Sequence, residues 1–96
     1  MANYRLSAKA SQDLAEIFDY TWDNFGETQA QKYLADLKEC LDILAENPLI
    51  APERNEFKPP VRIFPSGGHL IIFKVEKSCI LVIRFIHKNM ELTRHL

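Results

Sequence analysis

The sequence predicts an α+β domain in which an N-terminal strand and a helical hairpin precede a three-stranded antiparallel sheet. Three observations support this fold class: two stretches with apolar residues at helical spacing, a proline-containing segment after them, and three β-rich runs separated by turn signals. With 96 residues, of which 47% are hydrophobic, the chain is expected to form a single domain over residues 1–96 with a small core.

The first elements are a short strand and a helix. Residues 4–6 form a β-rich run that leads into Ser7, a residue type favoured at the N-cap of a helix. The first helix is predicted from residue 8 to about residue 24, and Gly26 follows it as the expected left-handed stop. The N-terminal strand is predicted to join the sheet as its fourth strand.

A second helix follows at once. Thr28 and Gln31 have the spacing of a capping box, which predicts Thr28 as the N-cap. Asn47 and Pro48 should end this helix, since proline cannot continue it. Because the link between the helices is so short, they are predicted to lie antiparallel as a hairpin.

The sheet is predicted as a meander with two tight turns. If Gly67-Gly68 is a two-residue turn, Phe64 lies opposite Ile71. If Lys77-Ser78 closes the next hairpin, Phe73 lies opposite Val82 and Ile71 lies opposite Arg84. Side chains alternate along a strand, so each strand divides its residues between two faces. The predicted first face holds Arg62, Phe64, Ile71, Phe73, Val75, Ile80, Val82, Arg84 and Ile86, and the second face holds Val61, Ile63, Leu70, Ile72, Leu81, Ile83 and Phe85.

The second face is the more uniformly apolar of the two, so the helical hairpin is predicted to cover it. The first face would then stay open, with Arg62 and Arg84 on an apolar background. A chain of this size cannot cover both faces with its own elements, and an open apolar face is typical of a protein that binds a partner.

Charge and composition exclude several classes of function. The net charge is −1 and the pI about 6.3, whereas proteins that grip a nucleic-acid backbone are usually basic. Cys40 and Cys79 lack the spacing of a metal site, so no metal or cofactor is predicted. The N-terminus lacks the apolar core of a signal peptide and the apolar runs are too short for a membrane span, so a cytoplasmic location is expected.

Several short motifs follow one another along the chain. They lie at residues 13–17, Trp22, residues 25–26, residues 44–48, residues 62–69 and, most distinctively, residues 84–91 (RFIHKNME). Their order and spacing resemble the ParE branch of the RelE/ParE superfamily of toxins from type II toxin–antitoxin systems. Ala51, Pro60 and Glu91 depart from this pattern, where the family often has Gly, Gly and Asp.

This resemblance implies a toxin that is not an enzyme, that inhibits DNA gyrase by trapping it on cleaved DNA, and that a ParD-like antitoxin neutralises. The chain has no helix-turn-helix pattern, so DNA contact is expected only through the antitoxin. The segment formed by Lys88, Asn89 and Met90 is predicted to face gyrase. The open first face is predicted to bind the antitoxin through Arg62, Phe64, Ile71, Phe73 and Arg84.

Two alternatives remain open at this stage. RelE-type relatives cleave mRNA on the ribosome, a reaction that needs cations beside a general acid or base, and Arg62, Arg84 and His87 are the candidates here. Against this, no tyrosine follows His87. The other alternative is an inactive member that acts only in operon control with its antitoxin. His69, just after the predicted turn, is expected to be solvated.

Overall fold

The α+β class and the order of the predicted helices and strands agree with the sequence prediction, but the sheet has five strands, one more than predicted. A computed structural model describes residues 3–90 and Leu92. In these residues β1 (Asn3–Leu6) is followed by α1 (Ala8–Phe25), α2 (Glu27–Glu46), a 3₁₀ turn (Pro48–Ile50), β2 (Glu53–Arg54), β3 (Val61–Ser66), β4 (His69–Val75) and β5 (Cys79–His87).

The strands form one sheet in the order β1-β5-β4-β3-β2. The N-terminal strand does join the sheet, as predicted, but β1 runs parallel to β5, with Asn3 opposite Cys79 and Leu6 opposite Val82. The sheet is therefore mixed and not wholly antiparallel, because the chain passes over one face as two helices before it returns to pair with β1. Neither described helix combines the length and apolar content needed to cross a membrane.

The helix ends show which capping predictions hold. Ser7 caps α1, and its hydroxyl accepts a hydrogen bond from the Ala10 N–H at 2.9 Å. The predicted capping box at Thr28 is wrong, since α2 begins at Glu27 without a side-chain cap. Gly26 explains the difference: its φ of 91° lets the chain reverse within one residue.

The hairpin between β3 and β4 has the predicted register, with Phe64 opposite Ile71 and Ser66 opposite His69. Gly67 has a φ of 58°, which favours glycine at this first turn position. A Cβ atom there would also lie 2.7 Å from the ring of Tyr33 in α2. The turn is therefore packed directly against the second helix, and this contact brings Tyr33 beside His69.

The hairpin between β4 and β5 departs from the prediction after its first residues. Phe73 lies opposite Val82 as predicted, but Ile71 lies opposite Phe85 and not Arg84. The cause is a β-bulge in β5, where one extra residue shifts the register and reverses the alternation beyond it. Phe85 therefore belongs to the first face and Ile86 to the second, the reverse of the predicted assignment.

The helices cover the first face, so the prediction of an open first face is wrong. Ile71 and Phe73 are fully buried there, and Phe64 packs beside them. The prediction treated the two arginines as marks of an exposed surface, but both guanidinium groups find partners within the fold. The hydrophobic core cluster around Ile71 and Phe73 also contains Leu37, Leu41, Leu44, Ala45, Ala10, Ala51, Ile80, Val82 and Phe85.

The second face carries a separate, smaller apolar cluster. Its buried members are Val61, Ile63, Ile72 and Ile86, and no residue of α1 or α2 belongs to it. The residues packed over these four are only partly buried: Phe57 from the loop before β3, Leu70, Ile83 and Leu92. Among the described residues, this face is thus covered by single side chains and not by a helix.

Candidate functional site

Arg84 and Asp13 form a nearly buried ion pair between β5 and α1. The Arg84 Nε and Nη2 atoms donate to the two carboxylate oxygens of Asp13 at 2.7 and 3.1 Å. Asp13 also accepts a hydrogen bond from the Phe85 N–H at 3.1 Å. The Arg84 side chain is 16% exposed and the Asp13 side chain 7% exposed. This ion pair therefore holds α1 against the sheet.

Arg62 lies in a different part of the molecule. Its Nη1 atom donates to the Ala51 carbonyl at 2.7 Å, which joins β3 to the chain that follows the 3₁₀ turn. Arg62 lines a cavity of about 340 Å³ with Leu49, Lys74 and Val75 among its neighbours. Its guanidinium group thus stabilises a loop at the margin of the sheet.

Tyr33, His69 and His87 form a polar cluster where β4 and β5 meet α2. The Tyr33 hydroxyl lies 2.7 Å from His69 Nδ1 and accepts a hydrogen bond from the Gly68 N–H at 3.1 Å. The hydroxyl also donates to the Ser66 carbonyl at 3.4 Å. Which of the two side chains donates in the 2.7 Å contact is set by the tautomer of the His69 imidazole.

The second histidine extends this cluster towards solvent. The rings of His69 and His87 lie nearly perpendicular, with centroids 5.4 Å apart. His87 Nδ1 accepts a hydrogen bond from the Asn89 N–H at 3.2 Å. The expectation that His69 is solvated is wrong, since it is half-buried and hydrogen-bonded. Burial lowers the pKa of His69 and raises that of Tyr33, and the nearby His87 lowers the pKa of His69 further.

This pKa shift predicts a loss of stability in acid. The unfolded chain takes up a proton at the ordinary imidazole pKa of about 6.5, whereas folded His69 takes it up only at lower pH. The free energy of unfolding should therefore decrease as the pH falls below about 6.5. Urea midpoints at about pH 8 and about pH 5.5 measure this change. A His69→Gln variant should show a smaller decrease, and an equal decrease in both proteins would contradict the assignment.

Two adjoining cavities lie between the carboxyl-terminal half of α1 and the ends of β4 and β5. Their volumes are about 400 and 500 Å³, and both are lined by Tyr20, His69 and His87. We call this pair of cavities the α1 groove. Its remaining lining residues are Asp13, Glu16, Ile17, Thr21, Phe25, Gln29, Tyr33, Gly68, Arg84, Phe85 and Met90.

Comparison with known sequences identifies the family. Residues 4–92 match the family described as ParE toxin of type II toxin-antitoxin system, parDE. The chain belongs to the ParE toxin family. Toxin ParE1 of Mycobacterium tuberculosis is 35% identical over 96 residues, which span 99% of this chain and 98% of that protein. Toxin ParE1 of Caulobacter vibrioides is 30% identical over 96 residues, which span 100% and 99%.

A solved structure has the same fold as this chain. A chain of the chromosomal ParDE TA system from P. aeruginosa superposes with a TM-score of 0.75 and covers 91% of this chain and 96% of its own length. Its sequence is 24% identical, so it supports the fold alone. The family assignment rests on the sequence matches, and it makes this chain a toxin of a type II toxin–antitoxin system.

The residues predicted for an RNase do not come together in this ParE-family chain. Arg84 and His87 line one cavity, but Arg62 lines another. Arg62 lies opposite Phe73 and His87 opposite His69, so strand geometry separates their Cα atoms by roughly 16 Å. The Arg84 charge is also compensated by Asp13. Membership of the ParE family supports the prediction that the chain is not an enzyme.

The segment predicted to face gyrase is exposed, and the described residues offer no metal site. Lys88, Asn89 and Met90 are exposed just after β5, and Met90 lines the α1 groove. Cys40 and Cys79 are free thiols. Within residues 3–90 and Leu92, no group of three or more His, Cys, Asp or Glu side chains is placed to hold a metal ion.

Sequence analysis missed three residues that build the groove: Asp13, Tyr20 and Tyr33. Asp13 and Tyr20 are seven residues apart on α1, which places them on one face of the helix, two turns apart. That spacing was available from the sequence. The contact of Tyr33 with His69 depends on how α2 packs against the β3–β4 turn, and no local pattern signals it.

Proposed function

We propose that this ParE-family toxin inhibits DNA gyrase in the cytoplasm and that a ParD-like antitoxin neutralises it. The observation that supports this function best is the family match over residues 4–92, with ParE1 relatives that are similar along nearly their whole length. The separation of Arg62 from Arg84 and His87 favours a toxin that acts by binding over one that cleaves RNA.

The antitoxin is proposed to bind the second face of the sheet. Ile71 and Phe73, the centre of the surface expected from the sequence, are buried under the helices and unavailable to a partner. The second face has apolar side chains that no helix covers in the described chain, with Leu70 and Ile83 partly exposed. An antitoxin segment that orders on binding would bury them, at the usual cost of folding a disordered chain. DNA contact would then come only from the antitoxin.

Replacing Ile83 by aspartate tests this surface. The charge would be buried against the antitoxin without a partner, so co-purification with the antitoxin should fall at least about tenfold. Ile43→Asp on α2 is the matched control, because Ile43 is 48% exposed and lies outside both apolar clusters. Circular dichroism establishes that each variant is folded. A folded Ile83→Asp variant that retains the antitoxin would reject the second face as its binding surface.

The gyrase contact is proposed to include Lys88, Asn89 and Met90. These residues follow β5, and all three side chains are exposed. Lys88 is anchored through its N–H, which donates to the Gly68 carbonyl at 3.0 Å, so the segment leaves the sheet in a fixed direction. A fixed, exposed segment suits recognition of a protein surface, because little entropy is lost on binding.

A purified gyrase assay tests the target. Supercoiled plasmid, ATP and gyrase are incubated with increasing toxin, and both lost supercoiling and trapped linear DNA are scored. We expect linear DNA to accumulate and the antitoxin to prevent it. Replacing Lys88, Asn89 and Met90 together by alanine should abolish trapping, whereas Leu49→Ala with Ile50→Ala, at exposed positions elsewhere, should not.

Two results would overturn gyrase as the target, and a third would overturn the proposed contact. Folded toxin that arrests growth without affecting gyrase would place the target elsewhere, and ribosome-dependent mRNA cleavage would then be the next reaction to assay. Folded protein that is harmless when expressed without antitoxin would indicate a member that acts only in operon control. If the triple variant still traps gyrase fully, Lys88, Asn89 and Met90 are not part of the contact.

A further inference from the structure

The α1 groove has an aromatic rim that the rest of the fold leaves uncovered. Tyr20 is 64% exposed and Phe25 is 67% exposed, although both line the groove. Met90 is half-exposed at the opposite side. Large apolar side chains around a cavity of this size are typical of a surface that receives side chains from another molecule.

After Lys9 near its start, the helix that forms one wall of the groove has only acidic charged side chains. Between Ala10 and Gln31, a stretch that runs from α1 into the start of α2, the sequence has five carboxylates and no lysine or arginine. Arg84 compensates one of these, Asp13. The others form no salt bridge within the part of the chain that the structure describes, and they are Glu16, Asp19, Asp23 and Glu27.

Glu16 and Asp23 are the carboxylates best placed to act at the groove. Glu16 lines it directly, and Asp23 lies seven residues further along α1, two turns away on the same side. Tyr20 lies between them in sequence. The carboxyl end of α1 adds the negative end of the helix dipole, and its last turn has no basic residue. Among residues 3–90 and Leu92, the groove therefore combines an aromatic surface with carboxylates that form no salt bridge.

The described residues of the opposite wall include no lysine, and the Arg84 charge is compensated by Asp13. His69 Nδ1 contacts the Tyr33 hydroxyl, and burial lowers the pKa of His69, which favours its neutral form. Lys88 is the described lysine nearest in sequence to the groove-lining His87, and it does not itself line the groove. An acidic ligand would meet repulsion from Glu16, whereas a cationic one would meet attraction from Glu16 and stacking surface from Tyr20.

We propose that the α1 groove binds a basic segment of a partner protein, which places an apolar side chain against Tyr20 and Phe25 and a lysine or arginine beside Glu16 and Asp23. This surface is separate from the second face of the sheet, because α1 and the second face lie on opposite sides of β5. The proposal goes beyond the function proposed above and does not depend on the identity of the toxin's target.

The test uses the full chain and two short synthetic peptides. In one peptide leucines alternate with lysines, and in the other glutamates replace the lysines. Binding is followed by NMR through the side-chain resonances of Tyr20, Phe25, His69 and His87. We expect the lysine peptide to shift these resonances saturably and the glutamate peptide to leave them unchanged. High salt should weaken the binding, since exposed charges are screened.

Charge-matched variants separate a local contact from the overall charge of the protein. Glu16→Gln combined with Asp23→Asn should weaken lysine-peptide binding by roughly tenfold, the effect of losing two exposed ion pairs. Glu39→Gln combined with Glu46→Gln removes the same charge from exposed positions on α2 that do not line the groove, and it should have little effect. Tyr20→Ala should also weaken binding.

Four outcomes would overturn the proposal. The first is equal binding of the glutamate peptide, and the second is the absence of saturable binding by either peptide. The third is equal weakening by the α2 control pair, which would indicate a general charge effect. The fourth is self-association of the free protein in sedimentation experiments, abolished by Tyr20→Ala, which would make a second copy of the chain the occupant of the groove.

Discussion

Replacing Phe73 by alanine is expected to lower the free energy of unfolding by about 3–5 kcal/mol, the usual cost of truncating a buried phenylalanine. Phe73 is fully buried in the middle of β4, where it packs between the sheet and the helical hairpin. A domain of this size has a total stability of only about 5–15 kcal/mol, so the variant should lose a large part of its stability at physiological temperature. Urea unfolding followed by circular dichroism measures the loss.

Val75→Ala is the matched control for this prediction. Val75 lies two residues further along the same strand and is 49% exposed, so its truncation should cost less than about 1 kcal/mol. A Phe73→Ala protein with unchanged stability that no longer binds the antitoxin would contradict the packing. Such a result would restore the first face as the antitoxin surface.

Replacing Asp13 by alanine is expected to cost about 3 kcal/mol of stability, because it removes the carboxylate that accepts two hydrogen bonds from the nearly buried Arg84 guanidinium group. The same change also removes the acceptor of the Phe85 N–H, a further buried hydrogen bond. Both losses occur at the contact between α1 and β5. The attachment of α1 to the sheet should therefore be weaker, and the midpoint temperature of thermal unfolding of the variant should be lower.

Two comparisons check the Asp13 prediction. Asp19→Ala removes a carboxylate from an exposed position of the same helix and should change stability by less than about 0.5 kcal/mol. Asp13→Leu combined with Arg84→Met replaces the ion pair by apolar side chains and should recover much of the loss. If Asp13→Ala is no more destabilising than Asp19→Ala, the ion pair does not stabilise the fold.

Local sequence signals predicted the local features of this fold. The N-cap at Ser7 and the turn at Gly67-Gly68 depend on residues close together in the chain, and both are confirmed. The bulge in β5 was not predictable, because no glycine or proline marks it. A single extra residue there exchanged Phe85 and Ile86 between the faces of the sheet.

The choice of the covered face was wrong for a different reason. Arg62 and Arg84 were interpreted as surface residues on the assumption that a charged group needs water. In the structure Asp13 and the Ala51 carbonyl take the place of water. Ala51 is 11 residues from Arg62 in the chain, and Asp13 is 71 residues from Arg84. The sequence patterns did not reveal contacts at these separations.

The parallel pairing of β1 with β5 has a consequence for the order of events during synthesis. Residues 3–6 leave the ribosome before their strand partners, residues 79–82, have been made. The first strand therefore remains without its neighbour until residues 79–82 are available. Contacts this distant in sequence form late and slow folding, so the sheet is completed only after both helices and the other strands have been synthesised.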